Sequence, residues 1–344
     1  MLQQESDKMR KILPVGKLKI DFLQSLLSQI DVSDKRVVIG PRIGEDATVI
    51  DFGEKYLVAK TDPITFATDH IGWYLVCVNS NDIATMGATP KWLLVTLLLP
   101  ENETTEEFVR SIFTEINDAC RHFGISMCGG HTEVSYGLSR PIVIGQMFGE
   151  VEKDKLVTSS GAKVGDKLIL TKGLGIEATS IIAREKQSEL ESKYSIDFIE
   201  RAKNYLTNPG ISVLKDALIA NKVGGVHAMH DPTEGGVATA INELAQCSNV
   251  GAKIWEDQLL ISPETQTLCK EYQLEPLGVI SSGALLISAE ASYSNRILDS
   301  LRKEGIDCAI IGKVVSVENK VLIYSSGKWQ PLPIFESDEI AKIF

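Results

Sequence analysis

The sequence predicts two successive α/β (α+β) domains that meet near residue 152. Segments of strand and helix character alternate in both halves, the pattern of helices layered on sheets. A length of 344 residues is long for one core and comfortable for two. The polar, glycine-containing stretch 152–165 interrupts the alternation and marks the boundary.

Residues 1–16 read as a flexible leader, polar and mixed in charge at its start and so unlike a signal peptide. Residues 18–30 form an amphipathic pattern with Leu18, Phe22, Leu26 and Leu27 on one face. Short strands with one packed face follow at 47–52 and 56–61. A helix over 71–86 is closed by Gly87 and Pro90. Leu75, Val78 and Asp82 share one stripe of it, with Asn81 alongside, so polar groups interrupt an apolar face. Unpartnered buried polar groups cost about 1–3 kcal/mol each. Asp82 is therefore expected to meet a cation, and Asn81 to orient its neighbours. Residues 92–99, apolar except for Thr96, suit a fully buried strand. The capping pattern Thr104-Thr105-Glu106-Glu107 opens a helix that ends at Gly124, and strands at 125–128 and 141–151 complete this half.

The second half begins with a strand at 167–171 and helices near 176–185, 197–206 and 211–221. A strand at 226–229 leads through His230 into a helix at 237–247. Further alternation follows at 252–255, 263–272 and 283–287, then a helix near 293–303 and strands at 308–315 and 320–323.

Hydrophobic residues at 44% and charged residues at 24% are the balance of a soluble globular protein. A net charge of −11 without any Lys/Arg cluster argues against a nucleic-acid partner. The longest apolar runs fall far short of the ~20 residues needed to cross a bilayer, so no membrane partner is expected. Six cysteines lie singly, with no zinc-type spacing, and read as buried free thiols of a cytoplasmic protein.

Four short motifs punctuate the first half: Gly44-Glu45-Asp46-Ala47, Thr61-Asp62-Pro63, Asn81-Asp82 and Gly129-Gly130-His131-Thr132-Glu133. Any one alone reads as a turn. In series, with His230-Asp231-Pro232-Thr233-Glu234-Gly235-Gly236 downstream, they point to a shared site. Converging carboxylates repel unless cations sit between them, and Mg²⁺ binds through a few carboxylates plus substrate phosphates. A magnesium-bridged polyphosphate is the expected occupant.

The order of these motifs, with Thr171-Lys172-Gly173 between them, resembles the aminoimidazole ribonucleotide synthetase superfamily of ATP-dependent enzymes. The likeness runs over residues 16–315. The strings Ile71-Gly72-Trp73-Tyr74, Met86-Gly87-Ala88-Thr89-Pro90 and Arg140-Pro141-Ile142-Val143 are similar to the HypE-like branch, related to hydrogenase maturation. The resemblance implies a domain at 17–152 that binds ATP and metal and shares a β-barrel with a second subunit, and a domain at 153–344 that closes the groove. Carried over motif by motif, Gly44, Glu45, Asp46, Thr61, Asp62, Asn81, Asp82, Gly129, Gly130, His131 and Thr132 would line the nucleotide. Asp46, Asp62, Asp82 and Glu133 would hold Mg²⁺. The Gly129-Gly130 backbone would approach the nucleotide closely for want of a Cβ. Lys172 would neutralise charge on the transferring phosphoryl group, and Asp231 and Glu234 would act as acceptors or ligands from the second domain. His131 and His230 are lone loop histidines, a type more often structural than catalytic.

Two departures stand out. The branch's own cysteine acceptor follows a C-terminal Pro-Arg-Ile, whereas here the last cysteine is Cys308, and Gly130-His131-Thr132-Glu133 replaces Gly-Asp-Thr-Lys. ATP use therefore carries over and self-acylated nitrile synthesis does not. Selenophosphate synthesis is disfavoured because the leader has no Cys-Lys pair. The expected function is phosphorylation of a substrate oxygen in a homodimer, the substrate being a partner's protein thiol-bound group or a small molecule. The alternatives are a small-metabolite kinase, a purine-type synthetase, and a nucleotide-binding scaffold without turnover.

Overall fold

The computed structural model describes residues 13, 18, 20–42, 44–65 and 69–344. Apart from Leu13, the expected leader lies outside them. The first half runs α1 (Ile20–Leu27), β1 (Val37–Ile39), β2 (Thr48–Asp51), β3 (Lys55–Ile64), α2 (Ile71–Thr85), β4 (Thr89–Pro100), α3 (Glu106–Phe123), β5 (Ser126–Ser135) and β6 (Ile142–Glu152). Then follow β7 (Lys167–Thr171), α4 (Ile176–Glu185), α5 (Gln187–Leu190), α6 (Ile196–Lys203), α7 (Leu214–Val223), β8 (Val226–His230) and α8 (Gly236–Cys247). The chain closes with β9 (Gly251–Trp255), α9 (Pro263–Glu271), β10 (Leu286–Ala289), α10 (Ala291–Lys303), β11 (Cys308–Val315), β12 (Val321–Ser325) and β13 (Lys328–Pro331).

These strands make two sheets, ordered β1-β2-β3-β6-β4-β5 and β13-β12-β9-β11-β7-β10-β8. Of the strands among the described residues, only β4 with β5 and β9 with β12 pair in parallel, so the architecture is mixed α/β of the α+β kind. No helix among the described residues is long and apolar enough to cross a membrane.

The centre of the molecule is α2. The sequence suggested a one-faced helix, but nearly every residue from Ile71 to Thr85 is buried. The first sheet and α3 cover one side, and α7 and β8 from the second half cover the other. Close approach to the sheet needs glycine: a Cβ on Gly149 would lie 2.3 Å from Ile83 Cγ2, and one on Gly145 2.6 Å from Asn79 Nδ2. Buried polar groups then fasten the helix to the second half. Asn81 Nδ2 donates to the Ile211 carbonyl at 2.9 Å, and the Val213 N–H donates to Asn81 Oδ1 at 2.8 Å. Trp73 Nε1 donates to the Leu206 carbonyl, and Asn221 Nδ2 to those of Gly87 and Lys155.

Two strands differ from expectation. β4 alternates instead of being buried throughout, with Trp92 39% exposed, because one face lies over a helix and the other is open. The strand expected at 125–128 continues through the glycine pair to Ser135, and β5 is an exposed edge.

Asn81→Ala removes both bonds to the second half and orphans a buried N–H and a carbonyl. A loss of about 2–4 kcal/mol in urea unfolding is expected; a change under ~0.5 kcal/mol would contradict the clamp.

Candidate active site

Alternation along β3 places Lys60 and Asp62 on one face, the face against which α2 packs. Asn79 locks the two elements together. Its Oδ1 accepts from the Asp62 N–H at 3.0 Å, and its Nδ2 donates to the Asp62 and Leu75 carbonyls. One turn further along α2, Asp82 enters the same space. Lys60 Nζ lies 3.0 Å from Asp82 Oδ2 and 3.5 Å from Asp62 Oδ2. The first of these contacts is out of line, and Asp82 Oδ2 is buried without a hydrogen bond. Burial pushes the Asp82 carboxyl well above the usual range, and Lys60 offsets this only in part. Burial works against the Lys60 ammonium, but Asp82, Asp62 and Asp46 outweigh it and hold the charge.

Asp46 arrives from the loop before β2. That loop rests on the end of α8, where a Cβ on Gly44 would lie 1.8 Å from Cys247 Sγ. Asp46 Oδ2 accepts from Thr85 Oγ1 at 3.3 Å and Ser159 Oγ at 3.2 Å, and faces His230 Nδ1 at 3.4 Å. His230 Nε2 meets Glu243 Oε2 at 2.8 Å. Burial opposes the imidazolium, but Asp46 and Glu243 raise the His230 pKa well above its ordinary value. The same pairing, with Lys60 and Ser159, keeps Asp46 ionised despite burial. Asp231 follows directly, 4% exposed, its carboxyl pushed up to about 6 by burial and by Asp46. Donor atoms of Asp46, His230 and Asp231 all lie within 4.8 Å of one another.

A hard divalent cation fits this donor set. The groups are carboxylate oxygens, one of them buried without a hydrogen bond, and Mg²⁺ takes oxygen ligands. His230 adds no ligand, since both its nitrogens face carboxylates.

Asp46, Asp62, Asp82 and Asp231 therefore converge, while other expected site residues are engaged elsewhere. The Asp62 row crosses the sheet through Gly145 and Val95 to Gly130, three strand spacings or about 14 Å away. Glu133 lies just beyond Gly130 on exposed β5, bonded to Ser135 at 2.8 Å and His131 at 3.2 Å, so one chain does not bring it to the cluster. His131 and Thr132 share that exposed edge, and Gly129 beside them is open. Gly130 answers to β4, since a Cβ there would lie 1.8 Å from the Val95 carbonyl oxygen. Lys172, expected to face a phosphate, is instead buried against Asp216 at 3.1 Å and donates to the Ser212 carbonyl at 2.6 Å. Its backbone is left-handed, with φ 57°. The Asn81 amide is fully engaged by the backbone at Ile211 and Val213, and the Thr61 hydroxyl by the Gly145 carbonyl. Glu45 binds Arg42 and Ser160 through one oxygen.

Sequence reasoning missed Lys60, Asn79, the His230–Glu243 pair and Glu177. A lysine two residues before Asp62 on an alternating strand was the available signal for Lys60. Glu177, at the start of α4, is buried, and Asp231, Glu234 and Asp338 act on it from nearby. Glu234 itself is exposed, while Asp338 Oδ2 accepts from the Gly235 N–H at 2.8 Å.

Two family descriptions cover most of this architecture: "AIR synthase related protein, N-terminal domain" matches residues 44–151, and its C-terminal domain matches 163–325. The chain belongs to the AIR synthase related family. Among curated relatives, a hydrogenase expression/formation protein of Methanocaldococcus jannaschii is 28% identical over 318 residues, 90% of this chain and 91% of the relative. The selenide, water dikinase of the same organism is 29% identical, covering 86% and 87%. Carbamoyl dehydratase HypE of Rhizobium leguminosarum bv. viciae is 27% identical, covering 81% and 79%. Among solved structures, hydrogenase maturation protein HypE in complex with ATP superposes with a TM-score of 0.70 at 21% identity, over 91% of each chain. AaThiL complexed with AMPPCP and TMP gives 0.70 at 24%, over 90% and 92%.

Burial, ahead of the nearby carboxylates, raises Glu177 from 4.5 to about 7. The folded chain keeps this proton through that window while the unfolded chain loses it, so stability falls as pH rises through it. Glu177→Gln is expected to match wild type near pH ~4 and to be roughly 2–3 kcal/mol more stable at pH ~8 by urea unfolding. Equal stability of the two proteins at both pH values would contradict the assignment.

Proposed function

We propose that this chain binds a nucleoside triphosphate, ATP, as its magnesium complex and phosphorylates an oxygen of its substrate. The observation that carries the reading is the convergence of Asp46, Asp62 and Asp82 around the Lys60 ammonium, with Asp231 facing them from the second half. Carboxylates at this spacing hold a hard cation, and the cation bridges and neutralises phosphate oxygens. The ATP and AMPPCP bound in structures of the same fold support the nucleotide, and the dikinase and dehydratase names of relatives support chemistry at an activated oxygen.

Asp62 and Asp82 would hold the ion, Asp46 would complete its shell, and His230 would keep Asp46 ionised and aimed. Asp231, beside Asp46, would act as a further acceptor or ligand from the second half, with Glu177 and Glu234 near it. The hydrogenase expression/formation and HypE names of relatives support a substrate in hydrogenase maturation, and six free thiols favour a cytoplasmic setting.

A second copy would cover β5. Among the described residues the outer edge of β5 is unpaired, and Val134 and Tyr136 beside the motif are 58% and 92% exposed. Unpaired edges template strand addition, and a partner there would bring its own Glu133 and His131 to the shared interface.

One observation favours a second reading. With Lys172 committed to Asp216, a nucleotide-binding scaffold without turnover gains support. Phosphate release from ATP separates the two, since the scaffold binds and does not hydrolyse.

Asp62→Asn is expected to weaken magnesium–ATP binding by at least about tenfold in calorimetry, some 1.4 kcal/mol, and to abolish phosphate release. Unchanged binding and turnover in this variant would sink the assignment.

A further inference from the structure

Lys60 stands among the carboxylates of a proposed cation site, and its ammonium fills the space that a divalent ion shared by Asp62 and Asp82 needs. Its Nζ lies 3.0 Å from Asp82 Oδ2 and 3.5 Å from Asp62 Oδ2, within the field of Asp46. A divalent ion bound between Asp62 Oδ2 and Asp82 Oδ2 would compete with the ammonium for the same two oxygens.

The bond it makes is a poor one. Asp82 Oδ2 is buried and receives no in-line hydrogen from the ammonium beside it. An acceptor left half-satisfied in this way gains from a stronger ligand. Lys60 is also free to leave: its side chain is 24% exposed, and a lysine carries its charge on a flexible four-carbon stem. Asp46 is different, because His230, Thr85 and Ser159 hold it in place whatever Lys60 does.

We propose that Lys60 is an exchangeable counter-ion: a divalent metal entering with a polyphosphate displaces its ammonium from Asp62 and Asp82, and the ammonium moves onto the phosphate oxygens. Metal alone then binds weakly, because it evicts a cation that loses its carboxylate partners and gains no new one. Metal and nucleotide together bind strongly, because the incoming anion receives the displaced charge. Free energy couples the two ligands through one side chain, and the coupling is reciprocal.

This inference rests on the nucleotide reading, and the experiment keeps the two apart. Mn²⁺ binding is measured by calorimetry alone and with saturating AMPPCP, for the unmodified chain, K60M and K60R. The unmodified chain and K60R are expected to show at least about tenfold tighter Mn²⁺ binding with the analogue present. In K60M, Mn²⁺ alone should bind about tenfold tighter than in the unmodified chain, while AMPPCP with Mn²⁺ binds about tenfold weaker. Unchanged or weaker binding of Mn²⁺ alone by K60M overturns the exchange, as does coupling that survives intact in K60M. K60Q serves as the second neutral variant if K60M does not fold, and Mn²⁺ binding to the unmodified chain equally well without AMPPCP overturns the exchange with no variant needed. Failure of the unmodified chain to take up AMPPCP with Mn²⁺ overturns the nucleotide reading itself.

Discussion

Like charges in a confined place hold the key to this molecule. Two carboxylates about 5 Å apart in a partly buried site repel by roughly 3 kcal/mol at an effective dielectric constant of about 20. Asp46 and Asp231 lie close together beside His230, and Asp62 and Asp82 share the Lys60 ammonium, so the two cations offset the repulsion among the four carboxylates. Each cation is placed by a different half of the chain: Lys60 by β3, His230 by the end of β8. The site is thus a product of domain packing, and neither half carries it alone.

What makes the packing rigid is the polar interior of α2. Asn79 fixes the height of the helix over β3 by bonding the Asp62 backbone in both directions. Asn81 fixes the other side against Ile211 and Val213. Gly145 and Gly149 let the helix sit close to β6. Three successive features of one helix, at Asn79, Asn81 and Asp82, therefore align sheet, second domain and carboxylate. Polar groups that looked like interruptions of an apolar stripe are the joints of a helix that has no solvent face.

Much of this was legible in the residues. Periodicity and turn signals locate the strand at 167–171 and the helix at 176–185, and the motif series singles out Asp46, Asp62, Asp82 and Asp231. The rest depended on what lies across the fold. Nothing local says that Gly130 must yield to the Val95 carbonyl, since that contact follows from the register of β4 with β5. Glu133 belongs to the same motif series, yet strand order carries it three positions from Asp62. Lys172 follows the pattern of a phosphate-facing lysine until α7 supplies Asp216. Lys60 went unseen because a lysine in a half-buried strand looks solvated until the opposing helix contributes its aspartate.

The most direct measurement is the anomalous scattering of Mn²⁺ in crystals grown with a non-hydrolysable ATP analogue. The account predicts manganese bound by the carboxylates of Asp62 and Asp82, with the analogue's phosphates against it and the Lys60 ammonium withdrawn from both. Manganese elsewhere with those two carboxylates still paired to Lys60, or none bound at all, would contradict it.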